Sequence, residues 1–171
     1  MRHNLPLAYP GMRIGLFGGS FDPAHEGHRH VAETALKRLD LDRVWWLVAP
    51  QNPLKAKSSP FEARLKSAQQ QALGPAMVVT DLEQRLSAGY TFQTLRALKR
   101  RCPGVNFVWI MGSDNLASFH HWQRWQDIAA LVPIDGLPRQ KGLIEWLGSG
   151  KGLWGPIGQR RLRRLRDEWS R

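Results

Sequence analysis

The sequence predicts an α/β fold, a doubly wound parallel sheet forming a single domain. Two observations carry that prediction. Four short apolar runs, at residues 12–17, 43–49, 76–80 and 105–111, alternate with stretches of helical spacing, the pattern of βαβ units. The first and last runs pass at once into Gly18-Gly19-Ser20 and Gly112-Ser113-Asp114. Turns of that kind belong at the carboxyl ends of parallel strands, where such sheets hold ligands.

Residues 12–17 (MRIGLF) read as a buried strand, and 26–39 as a helix with Val31, Ala32, Ala35, Leu36 and Leu39 on one face. Residues 43–49 (RVWWLVA) are aromatic and β-branched, hence a strand. Residues 50–60 hold three prolines and two lysines and read as loop. Pro60-Phe61-Glu62 opens a helix that carries Phe61, Leu65, Ala68 and Ala72 before Gly74-Pro75 stops it. Residues 76–80 are a third strand, and 81–89 are polar and read as irregular. Tyr90-Thr91 leads into a helix over 92–101, closed by Cys102-Pro103-Gly104, and 105–111 (VNFVWIM) are a fourth strand. Three loops then share one end of the sheet: 18–28, 50–60 and 112–125. No internal repeat or low-complexity stretch competes with this single-domain reading.

The 171 residues suit one domain with a core that needs no disulfide, and the one cysteine, Cys102, allows no intrachain bridge. No apolar run approaches the roughly 18 residues that span a bilayer. Residues 1–11 lack the apolar core of a signal peptide and read as a flexible lead-in, with Met12 an alternative start. A cytoplasmic protein with no membrane partner is the expectation. The formal net charge is +11 and is uneven: residues 139–171 hold nine Lys and Arg against three Asp and Glu, leaving sixteen against eleven in the rest. Anionic partners follow from the charge, without naming them. Nucleic acid is not favoured, because no RNA-binding aromatic signature accompanies the basic residues. A homo-oligomer stays open.

A strand, a glycine turn and a helix N-terminus make a place to hold phosphate, since free backbone N–H groups and the positive end of the helix dipole converge there. His25 and His28, at i and i+3, face that place together. The run Gly19-Ser20-Phe21-Asp22-Pro23-Ala24-His25-Glu26-Gly27-His28 resembles the nucleotidyltransferase superfamily signature G-x-F-D-P-x-H-x-G-H, with every specified position filled. Three further segments resemble one branch of it, the bacterial nicotinate-nucleotide adenylyltransferases. Gln51-Asn52-Pro53-Leu54-Lys55 is similar to its N-P-x-x-K segment, and Gly89-Tyr90-Thr91-Phe92-Gln93-Thr94-Leu95 to its S-Y-T-x-x-T-L segment, with glycine in place of the serine. Gly112-Ser113-Asp114-Asn115-Leu116 with Phe119 and Trp122 is similar to G-x-D-x-L…F-x-x-W.

The resemblance implies a Rossmann-like fold and transfer of the adenylyl group of ATP to nicotinate mononucleotide, releasing pyrophosphate, in NAD biosynthesis. It implies His25, His28 and Lys55 as the catalytic set. Gly18, Gly19, Ser20, Phe21, His28, Gly112 and Asp114 fall on the ATP side, and Lys55, Tyr90, Thr91 and Trp122 on the nicotinate mononucleotide side. Mg²⁺ is expected with ATP, held by phosphates and water, so no residue is named as a metal ligand. The bland alternatives are plain. Lys55 and Lys57 also suit a solvated loop, Trp122 and Trp125 at i and i+3 also suit a core, and His120 and His121 read as surface. Two other functions fit less of the chain: transfer to a different acceptor, and nucleotide binding without turnover.

The resemblance covers residues 12–133. The family continues with a fifth strand and an I-S-S/A-T-x-x-R segment that gives the polyphosphate hydroxyls, amides and an arginine; no such segment stands in 134–171. That stretch is basic and glycine-rich and holds three of the eight tryptophans. Two readings stand for it: a change of reading frame near Ile134, or a divergent C-terminus ending in a basic helix over 159–171. With one sheet strand and a phosphate motif missing, weaker catalysis is the expectation.

Overall fold

A computed structural model describes residues 5–50 and 57–137, with backbone alone at 113, 114, 117, 136 and 137. Five parallel strands form one sheet: β1 (Arg13–Gly19), β2 (Arg43–Val48), β3 (Met77–Thr80), β4 (Asn106–Gly112) and β5 (Ile134–Leu137). Their order is β3-β2-β1-β4-β5. The chain starts in the middle of the sheet, winds outward to β3, then crosses back to lay β4 on the other side of β1. The doubly wound expectation holds, and its switch point lies between β1 and β4, where such sheets open a crevice at their carboxyl ends. Register is continuous across the centre, with Phe17 opposite both Trp46 and Ile110.

Period-two alternation sends neighbouring side chains to opposite faces. Trp45 faces one layer and Trp46 the other, both fully buried. Over the Trp46 face lie α1 (Glu26–Arg38) and α2 (Phe61–Gln71), packing Val31, Ala32, Ala35 and Ala68 against Phe17, Val48 and Ile110. The Trp45 face is covered by α3 (Leu82–Arg85), α4 (Thr91–Arg101), α5 (Ser113–Ser118) and α6 (Trp125–Leu131), through Leu82, Leu95, Leu98, Leu116 and Ile128.

Three expectations change. The polar stretch 81–89 contains α3, a single helical turn. The segment 112–125 is not a loop: β4 runs directly into α5 and then a 3₁₀ turn, Phe119–His121. The fifth strand is present, because Ile134–Leu137 pairs with β4 at Trp109↔Ile134 through Gly112↔Leu137. Ile134 is buried and completes the Trp45 face. The remainder of the atypical tail, 138–171, lies outside the described residues, as do Lys55 and its neighbours at 51–56.

The glycines also differ from their expected role. Gly18 and Gly19 are the last two residues of β1 rather than the turn itself. A Cβ on Gly18 would sit 2.4 Å from the Trp109 ring, and one on Gly19 would sit 3.3 Å from the Phe21 ring. At Gly18 the core, rather than a ligand, therefore demands the missing side chain. Gly18→Ala is expected to destabilise the fold by about 1–3 kcal/mol, as overpacking against a buried ring does. Adding Trp109→Leu should recover part of that loss, a non-additivity readable in urea denaturation.

Candidate active site

Two side-chain groups meet at the carboxyl end of the sheet. The first grows from β1. After Gly19 the chain turns through Ser20 and Phe21, the latter in the left-handed region at φ 50°, and through a cis Asp22–Pro23 peptide into α1. The Phe21 ring is 1% exposed, edge-on to Phe17 at 5.4 Å and packed on Trp46 and His28. What Phe21 can offer a ligand is therefore its backbone, not its ring.

His25 is the N-cap of α1 and His28 its third residue. His25 Nδ1 accepts the Gly27 N–H at 3.0 Å, and His28 Nδ1 accepts the His25 N–H at 3.1 Å. This is a capping box built from two imidazoles instead of a hydroxyl and a carboxylate. It explains the spacing, since i and i+3 are the two reciprocal positions. It also revises the expected cradle: the amides of His25 and Gly27 are taken by the rings. With Nδ1 of each ring accepting from the backbone, Nε2 is left as its donor nitrogen. The rings lie 3.9 Å apart between centroids, so the two Nε2–H groups form one paired donor set.

Helix α2 secures this loop from beneath. The Ala24 N–H donates to Ser67 Oγ at 3.0 Å, and the one hydroxyl proton of Ser67 is shared between the carbonyls of Phe21 (3.1 Å) and Arg64 (2.9 Å). Arg64, 2% exposed, donates from Nη1 to the carbonyls of Ser20 (2.8 Å) and Ala49 (2.9 Å), and from Nε to that of Ser59 (3.1 Å). Asp22 accepts the Ser59 N–H at 2.9 Å; hydrogen bonds from Ser59 hold its carboxyl below the usual carboxylate range. Arg64, Ser67 and Asp22 are absent from the sequence-based set. The available signal was an arginine on the apolar stripe of α2, between Phe61 and Ala68.

The second group lies on the other layer. Gly89, Tyr90, Thr91, Trp122, Gln123 and Ile128 line a cleft of about 260 Å³. The structure thus brings together Tyr90, Thr91 and Trp122, three residues expected on the acceptor side. Trp122 is half-buried, edge-on to Trp109 at 6.2 Å and to Phe119 at 5.5 Å, so it packs on the core while lining the cleft. Tyr90 is 55% exposed and caps α4, but its N–H is directed at Gln93 Oε1 (3.3 Å), as is that of Gly89 (3.0 Å). The donors left are the Thr91 N–H and the two hydroxyls. A wider cleft of about 490 Å³ continues along α4 past Arg96, Arg100 and Arg124. Gly112 ends β4 facing the switch point, and Asp114 lies in the first turn of α5. Lys55 lies outside the described residues.

A parallel sheet in this order, with β1 ending in glycines and a histidine pair opening α1, defines a nucleotidyltransferase fold. The cytidylyltransferase-like family model matches residues 16–160. A probable nicotinate-nucleotide adenylyltransferase of Roseobacter denitrificans is 54% identical over 140 residues, 81% of this chain and 70% of that one. Its counterpart in Parvibaculum lavamentivorans is 53% identical over 135 residues, 78% of this chain and 67% of that one. Among solved structures, Plasmodium falciparum nicotinic acid mononucleotide adenylyltransferase complexed with NaAD aligns with a TM-score of 0.66 at 17% identity. That alignment covers 78% of this chain and 70% of the other, and at such identity the likeness is one of fold. The chain belongs to the nicotinate-nucleotide adenylyltransferase family.

Glu83 of α3 is buried and accepts the hydroxyl proton of Thr94 in α4 at 3.0 Å. Burial pushes its pKa from 4.5 up to about 7, with the Thr94 bond opposing. Between those pH values the folded chain holds a proton that the unfolded chain has lost. Stability therefore falls as pH rises from about 4.5 through 7, by up to roughly 3 kcal/mol. Glu83→Gln keeps an acceptor for Thr94 and should flatten that slope in urea melts run from pH 5 to 8.5.

Proposed function

We infer that this chain transfers the adenylyl group of ATP to nicotinate mononucleotide, forming nicotinate adenine dinucleotide and pyrophosphate, a step of NAD biosynthesis. The observation that carries this reading is the pairing of the two side-chain groups across the β1/β4 switch point. One is a set of phosphate donors, the other a cleft with a tryptophan and hydroxyl donors suited to a flat acidic ring. Both belong to a chain more than 50% identical to relatives described as nicotinate-nucleotide adenylyltransferases.

The reaction breaks the bond between the α-phosphorus and the bridging oxygen of ATP while a phosphate oxygen of the mononucleotide attacks in line. No protein nucleophile is needed; the work is positioning and stabilising charge on phosphoryl oxygens. His25 and His28 donate from Nε2–H to the triphosphate as it reacts. The backbone of Gly18, Gly19, Ser20 and Phe21 lies along it, and Gly112 and Asp114 border the adenosine. Lys55 neutralises phosphate, Trp122 stacks on the pyridine ring, and Tyr90 and Thr91 hydrogen-bond its carboxylate. Mg²⁺ is taken to enter as an ion carried on ATP's own phosphates and water. There it would neutralise charge on the leaving pyrophosphate. No helix among the described residues is long and apolar enough to cross a membrane.

A pyrophosphate-release assay with ATP and either nicotinate or nicotinamide mononucleotide tests the reading; turnover should favour the nicotinate form, and silence with both overturns it. His25→Asn separates capping from chemistry, because asparagine is a good N-cap but lacks the Nε2 donor. It should leave the melting temperature within a few degrees and lower kcat about 10²-fold or more, the scale of losing one transition-state donor. Trp122→Leu keeps an apolar contact with Phe119 but removes the stacking face. It should raise KM for nicotinate mononucleotide about tenfold, as loss of an aromatic contact worth about 1 kcal/mol or more does, with KM for ATP little changed.

A further inference from the structure

Arg64 is a cation in a place where the sequence asks for an apolar residue. It shares the inward side of α2 with Ala68, lies over the Phe61 ring at 5.5 Å, and spends its N–H groups on main-chain carbonyls. Those carbonyls come from three separate segments: Ser20 just after β1, Ala49 just after β2, and Ser59 at the approach to α2. Ala49 is also tied to β1 by its own N–H, which donates to the Gly19 carbonyl at 2.9 Å. A guanidinium fits this task because its donors diverge in one rigid plane; an ammonium does not.

The consequence lies in the geometry of one peptide unit. The Ser20 C=O and the Phe21 N–H belong to the same planar trans amide and point in opposite directions. Holding that carbonyl on Arg64 turns the Phe21 N–H away from the guanidinium. The next carbonyl, that of Phe21, is held in turn by Ser67. Phe21 meanwhile adopts φ 50°, a conformation that a bulky residue keeps only when its surroundings impose it. Backbone amides presented by such a turn form an anion-binding concavity.

We propose that Arg64 is the positioning residue of the triphosphate site: by binding the Ser20 carbonyl it fixes the Phe21 N–H as a phosphate donor beside His25 and His28. Through Ala49 it ties the same turn to the end of β2. The inference rests on the adenylyl-transfer reading for its ligand, but the orientation of the amide is read without turnover.

The test uses the full chain and a ¹⁵N-labelled sample. Inorganic triphosphate should shift the Phe21 amide resonance in the wild type, and Arg64→Lys should abolish most of that shift. A wild-type Phe21 amide that ignores triphosphate overturns the proposal, and this arm needs no variant to fold. Kinetics add a readout that simple loss of stability would not produce. Arg64→Lys should weaken binding of a non-hydrolysable ATP analogue about tenfold and lower kcat, the loss expected when a charge-assisted contact no longer presents a donor. Binding of nicotinate mononucleotide alone should change less than about threefold. Equal weakening of both ligands, or wild-type affinity for the ATP analogue, refutes the positioning role. If the wild type shows no turnover while its Phe21 amide responds and the lysine variant's does not, the reaction assignment fails and the positioning role stands.

Discussion

The structure depends on a constraint at one strand. β1 is paired on both edges and covered on both faces, so its direction and its last residues are dictated from four sides at once. Trp109 occupies the space where a side chain at Gly18 would go, and Phe21 folds back over Gly19. The strand can end nowhere else without opening the core. The turn that follows therefore begins at a fixed point, and everything placed on it inherits that precision. In this fold the site is accurate because the centre of the sheet is crowded.

The histidine pair shows how one local device serves structure and chemistry together. A capping box needs two side-chain acceptors at the N-cap and third positions. Imidazoles fill that need with Nδ1 and still carry a second nitrogen, which a serine or a glutamate lacks. Capping the helix and facing a ligand are thus compatible roles for the histidines, because the cap uses only Nδ1 of each ring.

Most of the architecture was legible because apolar runs and helical stripes are long-range statements about burial. Each of the four strands expected from the sequence is found within two residues at either end. The misses are short elements. Residues 81–89 and 112–125 carry no sustained period of their own, and their helical turns form because tertiary contacts hold them, such as the Glu83–Thr94 bond across α3 and α4. β5 lies just past the point where motif resemblance ends, four residues that only pairing with β4 makes recognisable. Motif reading singled out His25, His28, Tyr90, Thr91 and Trp122 because they carry distinctive chemistry at distinctive spacing. It passed over Arg64 and Ser67, whose partners are main-chain carbonyls and amides that a sequence does not display.

The two halves of the proposed site stand on different layers. α1 and α2 carry the histidine pair and the anchors of the turn, whereas α4, α6 and the turns that precede them carry the cleft of Tyr90, Thr91 and Trp122. Between them lies a sheet that close packing makes stiff. Adenylyl transfer asks for an attacking oxygen, a phosphorus and a leaving oxygen in line, and errors of about 1 Å are costly in such a geometry. Mounting the donor and the acceptor on opposite faces of one rigid sheet, meeting over its switch point, sets their separation by the sheet itself. Each half can then vary in sequence within its own layer without disturbing the alignment of the other, provided that β1 and β4 keep their register.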